Sequence, residues 1–450
     1  MERIKQPSVA GTFYSADAEE LKEQIYGFAS NNRNSYEAAT RAVIVPHAGY
    51  EYSGQIAYEG ISQFSSAVKN IIIFAPAHKV SFQGLALSSY EAWATPLGNL
   101  EVNQDVNRKL TINFGAKIYD DAFLGEHSVE VQLPIIKFLY KDNVKIIPIL
   151  VGNEAPKIIT DIIQQYYENE EFAFIISSDL SHFLTNEEAQ QMDAKSAIMI
   201  ELGEMNEFKF EQACGAVGIF GLVDFVKNNG YSLIRIIMSN SSESTGDTNR
   251  VVGYGAWFLY EGSQNKFLKE YYSDLIIEIV KKSILAGFSQ QELSINFPLV
   301  FAQNGACFVT LRKNGILRGC IGSLAPYRPL IADLVTNAQN AAFKDPRFKP
   351  VTFEEYNDLK VDVSILGNPE IMKFKDEQDL LEQIVPHRDG IILQEGQEYQ
   401  ALYLPSVWDE IPDKVQFLRS LKRKAGLPED YFSSTLMAFR FETEFIEEQR

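Results

Sequence analysis

His47, His78, His127 and His182 are four of the five histidines in this 450-residue chain, and each stands where a fold could carry it to a common point. His47 follows the apolar run "AVIV", His78 follows "IIIFAPA", and Asp179 and His182 in "SSDLSHF" follow "FAFIISS". His127 adjoins Glu126 in "GEHSVEVQLP", just ahead of a helix-like stretch. Two or three neutral imidazoles with one carboxylate or hydroxyl oxygen form a donor set for Fe(II), Zn(II) or Cu(II), not for Mg or Ca. Such a set leaves a coordination position for substrate or dioxygen. Tyr50 and Tyr52 in "PHAGYEYSG" offer phenolic donors at its rim, and Asp179 can orient an imidazole or act as a base. One histidine at a strand end is ordinarily a hydrogen-bonded loop residue. Three such loops in one domain favour a metal site.

The elements that must position these residues are legible in the first half. Apolar runs at 42–45, 70–76, 145–151, 172–178 and 232–239 alternate with helix-length segments, the pattern of a largely parallel sheet with flanking helices. Open α/β sheets bind ligands outside the carboxyl ends of their strands, where separate loops converge. "VVGYGAWFLY" (251–260) adds a last strand, and the polar "EGSQNK" (261–266) reads as a linker. The expected domains are therefore 1–262 and 263–450.

The formal net charge of −19 lacks the basic footprint that nucleic acid or anionic lipid requires, which leaves small molecules, peptides or proteins as partners. The start of the chain has no apolar leader core and no run approaches a membrane span, so a cytoplasmic protein is expected. Cys214, Cys307 and Cys320 have no CxxC spacing, which argues against a disulfide framework or a Cys-rich zinc module and fits a reducing compartment.

In the second half, apolar residues of "FLKEYYSDLIIEIVKKSILAGF" recur at helical spacing. Asn314-Gly315, between "ACFVTLRK" and "ILRGCIGSL", is a strong signal for a two-residue hairpin loop. Further strand-like runs ("LKVDVSIL", "GIILQ", "YQALYLP") and helices near 328–343 and 413–425 predict a smaller α+β domain. If Asn314-Gly315 forms a two-residue loop, Lys313 pairs with Ile316, and stepping outward sets Leu311 opposite Arg318 and Val309 opposite Cys320. Cys307, Val309, Leu311, Arg318 and Cys320 then share one face. Both cysteines read there as reduced, unreactive core residues. Arg318 needs an acidic partner or an anionic ligand, and beside Cys320 it would mark a reactive thiol. His387, in "VPHRDGIIL", reads as a turn residue.

"QPSVAGTFYSADAEEL", "PHAGYEYSG", "APAHKV", "EHSVEVQLP", "SSDLSHF" and "STGDTNRVVGYGAWF" occur in the order and spacing of the Memo family, and residues 4–260 resemble it. Its bacterial members are called AmmeMemoRadiSam system protein B. The resemblance implies the fold of LigB-type class III extradiol dioxygenases, with a metal at the carboxyl edge of the sheet. Carried over by position, it implies metal-binding histidines at His47 and His78 and further pocket residues at His127, Asp179 and His182. The cysteine that supplies a third ligand in some members falls on Ser244, a poorer donor than thiolate for a soft site. Glu243, Asp247 or His182 then remains to complete the shell.

"LRKNGILRGCIGSL", "AAFKDPRFKPVTFEE" and "VDVSIL" resemble the AMMECR domain family, AmmeMemoRadiSam system protein A, over residues 268–446. The fusion implies joint action, and the system's name implies a radical S-adenosylmethionine protein as a partner. Three functions are expected, in this order. The first is a dioxygenase-like enzyme using Fe(II), with Zn or Cu as alternative metals, on a small or peptide-like substrate. A non-catalytic adaptor using the old pocket follows, and then a zinc-dependent amide hydrolase with Asp179 or His182 as base.

Overall fold

The computed structural model describes residues 3–31, 39–289 and 295–449, and the chain divides into two compact units, Met1–Gln264 and Asn265–Arg450. In the first unit the β-branched runs form strands where their composition predicts. Ala42–Val45, Phe172–Ser177, Asn70–Pro76 and Lys145–Val151 lie side by side in that spatial order, all parallel. Leu85–Leu87 and Lys117–Ile118 extend the sheet on one side. On the other side Val251–Tyr260 runs antiparallel to Ala42–Val45 and pairs with both Ser232–Asn240 and His182–Leu184.

Parallel pairing is thus concentrated in the centre of the sheet. The runs at 232–240 and 251–260 form an antiparallel pair because residues 241–250 are too few for the crossover of a dozen or more residues that a parallel partner needs. Side chains alternate along each strand, so both faces of the centre must be covered. Val43 and Val45 face the helix Gln55–Ile61, where a Cβ on Gly60 would meet Val45 Cγ1 at 2.4 Å. Ala42 and Ile44 point into a core built with Ile159 and Ile162 of the helix Lys157–Tyr167 and Leu222 and Phe225 of the helix Ala216–Asn228.

The amino-terminal segment is anchored by one carboxylate. Buried Glu130 accepts hydrogen bonds from the Ser8 and Val9 amides, the Tyr14 hydroxyl and the Lys5 ammonium. This holds the segment so that the Phe13 carbonyl accepts the Tyr50 amide at 2.7 Å and the Phe13 ring lies 4.7 Å from that of His127.

The second unit contains two antiparallel sheets and the helices Gln264–Ser289, Leu330–Phe343 and Lys414–Lys424. Asn304–Lys313 and Ile316–Gly322 form the expected hairpin: Asn314 and Gly315 have φ of 53° and 78°, and Lys313 pairs with Ile316. The register does not run on evenly. Arg312 pairs with Leu317, but Leu311 then faces Gly319 and Thr310 faces Cys320. A bulge at Arg318 adds one residue to the return strand, and a one-residue slip moves every later side chain to the opposite face. Two contacts accompany it: Arg318 is drawn to Glu355 at 3.0 Å and to the Lys349 carbonyl at 2.8 Å, and Gly319 packs where a Cβ would lie 2.1 Å from the Ala341 carbonyl oxygen.

The face expected to hold both cysteines is therefore not formed. Cys307, Val309 and Leu311 are buried, whereas Cys320 is half-buried on the other face beside Thr310. Arg318 has its acidic partner in Glu355 and is not grouped with Cys320. His387 occupies an exposed turn with φ of 61°.

Candidate metal centre

The parallel strands deliver their loops to one edge. Val45 leads to His47, Pro76 to His78 and Ser177 to Asp179, while His127 approaches from the loop ahead of Glu130–Gln132. One ring nitrogen each from His47, His78 and His127 lie within 4.8 Å of one another. The ring centroids are separated by 5.3 Å (His47–His78), 5.4 Å (His47–His127) and 4.9 Å (His78–His127).

Hydrogen bonds decide which nitrogen faces the centre. His47 Nδ1 lies 2.9 Å from Ser177 Oγ, whose own proton goes to the Ser128 carbonyl at 2.7 Å and which also accepts from Gln132 Nε2 at 3.0 Å. The hydroxyl has no second proton, so His47 Nδ1 carries the hydrogen and Nε2 presents a bare lone pair. His78 Nδ1 meets Glu126 Oε1 at 3.0 Å, and a carboxylate only accepts, so His78 Nδ1 carries a hydrogen as well. His127 Nδ1 lies 3.3 Å from the same oxygen. One buried carboxylate thus orients the His78 ring, lies beside the His127 ring and also accepts the His127 and Ser128 amides at 2.9 and 3.0 Å.

Electrostatics keep two of the donors neutral. Burial, reinforced by His78, lowers His47 to about 3, and burial with the neighbouring His47 lowers His127 to about 4. Burial alone would raise Glu126, but hydrogen bonds from the His78 side chain and the Ser128 and His78 amides hold it well below the usual carboxylate range. Asp179 goes the other way, raised by burial against the opposing hydrogen bond from the His47 amide at 2.8 Å. Its second oxygen, Oδ2, lies 4.0 Å from His47 Nε2. Three converging imidazole nitrogens, two of them on rings that burial keeps neutral, with an oriented carboxylate behind them fit a borderline transition metal. Replacing Glu126 with Gln puts an amide N–H₂ or a weaker acceptor against these donors, and metal affinity is expected to fall about 10–100-fold in a chelator competition assay.

Several expectations change here. His127, read above as a further pocket residue, offers the third ring nitrogen at the position that Ser244, Glu243, Asp247 or His182 was to fill. Ser244 is exposed on the turn Ser242–Thr245 and donates to the Glu51 carbonyl at 3.0 Å. His182 sits on the strand His182–Leu184, within electrostatic reach of His47 and Asp179, but outside the three-nitrogen cluster; it lines a groove of about 630 Å³ with Glu188, Met192 and Lys195. Glu243 and Asp247 lie in the same exposed segment as Ser244. Tyr50 is buried, and its hydroxyl donates to the Val131 carbonyl at 2.8 Å, so it is not a free donor at the rim.

Sequence reasoning missed Cys214. Its Sγ lies 3.3 Å from His47 Nε2 and 3.3 Å from the Asp179 amide nitrogen. Burial, with the Asp179 charge adding, pushes the thiol up, so Cys214 is the donor to the bare His47 nitrogen. The available signal was its place at "CG" just before a helix whose amino end, in an α/β sheet, meets the same edge as the strand ends.

Fold and site together define an α/β domain with a three-histidine centre at the carboxyl edge of its sheet. The profile of the Memo-like protein family matches residues 5–258, more than half the chain, and the chain belongs to that family. The AMMECR1 profile matches residues 276–446, so both domains occur in one polypeptide. A MEMO1 family protein of Thermoplasma acidophilum is 33% identical over 263 residues, 56% of this chain and 97% of that relative. Another from Aquifex aeolicus is 32% identical over 265 residues, again 56% of this chain and 97% of the relative. A crystal structure of an uncharacterized protein from Pyrococcus horikoshii has 32% identity and a TM-score of 0.37, covering 39% of this chain and 91% of that one. Among the described residues no helix is long and apolar enough to cross a membrane.

Proposed function

We propose that the Memo-like domain is a metal-dependent, dioxygenase-like enzyme holding a divalent transition metal, Fe(II) foremost, on His47, His78 and His127. The observation that carries this reading is the convergence of three imidazole nitrogens at the sheet edge, with His47 and His127 kept neutral by burial. A metal bound there supplies Lewis-acid polarisation and, as iron, a redox couple. The chain's own residues do the rest. Glu126 and Ser177 hold the ring tautomers, and Phe13 packs against His127. Asp179 Oδ2, raised by burial, accepts or returns a proton beside His47. The groove beside His182 accommodates a small or peptide-like substrate.

A zinc-dependent hydrolase is the second reading. It is favoured by the same all-imidazole donor set together with a buried carboxyl poised as a base. The AMMECR-type unit and a radical S-adenosylmethionine protein complete the proposed system, in a reducing, cytoplasmic compartment that fits the three free cysteines.

Elemental analysis of protein purified without added metal tests the centre, and oxygen uptake with catechols under Fe(II) tests the chemistry. Stoichiometric metal that is lost in His47→Ala, with catechol-dependent oxygen uptake, is the expected result. Metal without oxygen uptake but with amide hydrolysis selects the zinc reading. Protein that takes up no metal and turns nothing over is an adaptor, and that outcome overturns both.

A further inference from the structure

A small cavity adjoins the metal centre in the first unit. Phe74, Ala75, Val151 and Val217 supply its apolar wall, and its volume is about 30 Å³. Pro76, two residues before His78, lines the same space, and so does Cys214, whose Sγ lies 3.3 Å from His47 Nε2. The cavity therefore borders two of the three histidine ligands through single residues. Its origin is local. Gly215 and Gly218 let the start of the helix Ala216–Asn228 lie against the strand Phe172–Ser177, where a Cβ would fall 2.6 Å from the Ser177 carbonyl oxygen and 2.9 Å from Ile176 Cγ2. Neither glycine then has a side chain with which to fill the space that both line.

Protein interiors hold few voids larger than a water molecule, so one against a reactive centre calls for an occupant. Water suits it poorly, because a buried water needs roughly two to four polar partners and the polar groups of this wall are engaged. The Pro76 carbonyl accepts the Ser128 hydroxyl at 2.7 Å, the Gly215 amide donates to Ser178 Oγ at 2.9 Å, and the Cys214 amide donates to the Asp179 carbonyl at 3.3 Å. Phe74, Ala75 and Pro76 are paired within the sheet with Lys145–Val151. The space exceeds the roughly 10–15 Å³ that one water occupies, and an apolar cavity stays dry and accepts small apolar molecules. A diatomic gas matches it in both size and polarity.

We infer that this cavity binds dioxygen and holds it beside the metal centre, an inference that rests on the dioxygenase-like reading above for its use. Dioxygen is apolar and gains by leaving water for such a lining. It displaces no water that the wall holds by hydrogen bonds and leaves no polar group stranded. Cys214 is the side chain common to the cavity and to the surroundings of His47, so the gas waits one residue from the imidazoles.

Methyl-resolved NMR of the full, metal-free chain under oxygen pressure tests the site, because paramagnetic dioxygen speeds the relaxation of the methyls it touches. Ala75 and Val151 are expected to relax faster than Ala42 and Val43, which are fully buried in the same sheet but do not line the cavity. The excess is expected to be lost in Val217→Met, whose longer and flexible side chain fills the space, and kept in Val217→Ala, which enlarges it. The methyl spectrum itself shows whether each variant is folded. Equal relaxation at the two pairs of residues, or an excess that survives in folded Val217→Met, would overturn the site. The measurement needs no turnover, so the two readings fail separately. Catechol-dependent oxygen uptake without the excess removes the cavity and leaves the enzyme, whereas the excess without any oxygen uptake removes the staging role together with the enzyme.

Discussion

His127→Ala is expected to lose more transition-metal affinity than the roughly 100-fold that removal of an orienting partner costs, whereas His182→Ala keeps its metal. The two residues make opposite cases. His127 places a ring nitrogen within 4.8 Å of those of His47 and His78, and its Nδ1 is held near Glu126. His182 reaches the same region only through its charge and faces the groove. Chelator competition and elemental analysis on both variants decide it. Equal affinities would show that the three-nitrogen cluster is not the binding site. Loss only in His182→Ala would restore His182, one of the ligands the sequence left open, to the third position. Glu126→Gln should fall between them.

Metal affinity is also expected to survive mild acid. An ordinary imidazole, with a reference value of 6.5, is almost wholly protonated at pH 5, and each such ligand then weakens binding by about 30-fold. Burial has lowered His47 to about 3 and His127 to about 4, so both stay neutral at pH 5 and add no penalty. Between pH 7 and pH 5 the affinity should therefore fall far less than the about 10⁴-fold or more that an unperturbed triad would lose. Chelator competition across that range, corrected for the chelator's own protonation, measures it.

Unfolding does not imitate this result. A histidine with a depressed value contributes stability that is complete above about pH 6.5 and is lost as pH falls toward the folded value. Asp193 is raised by burial to about 6, so its contribution is present below its unfolded value of 3.8 and is lost as pH rises through 6. Asp179, also raised, acts in the same direction as Asp193. The two pairs oppose each other between pH 4 and 6, and metal-free protein should show only a shallow pH dependence in urea unfolding there. A steep loss of stability across that interval would mean that the carboxyls do not offset the imidazoles.

Much of the fold follows from local pattern. The runs at 42–45, 70–76 and 145–151 are strands with the expected limits, because continuous β-branched sequence bounded by polar residues has few other folded uses. Asn314-Gly315 turns where it should, since positive φ at both positions is a property of those two residues. The strand-end position of His47, His78 and Asp179 was legible for the same reason: it depends on chain order, not on packing.

What the sequence by itself determined, then, is the set of strands, the parallel centre of the sheet and the edge at which its chemistry gathers. Only the tertiary structure decided which residues meet there. Cys214 and His127 reach His47 across 167 and 80 positions of chain, a separation that no local period encodes. Tyr50 stands three residues from His47, yet its hydroxyl is used by Val131 in the interior. The same holds in the second unit, where a bulge of one residue at Arg318, accompanied by Glu355 and by the close packing of Gly319, turned Cys320 from the core face to the one it shares with Thr310. Periodicity names the faces of a strand. Long-range contacts choose which face a residue finally takes.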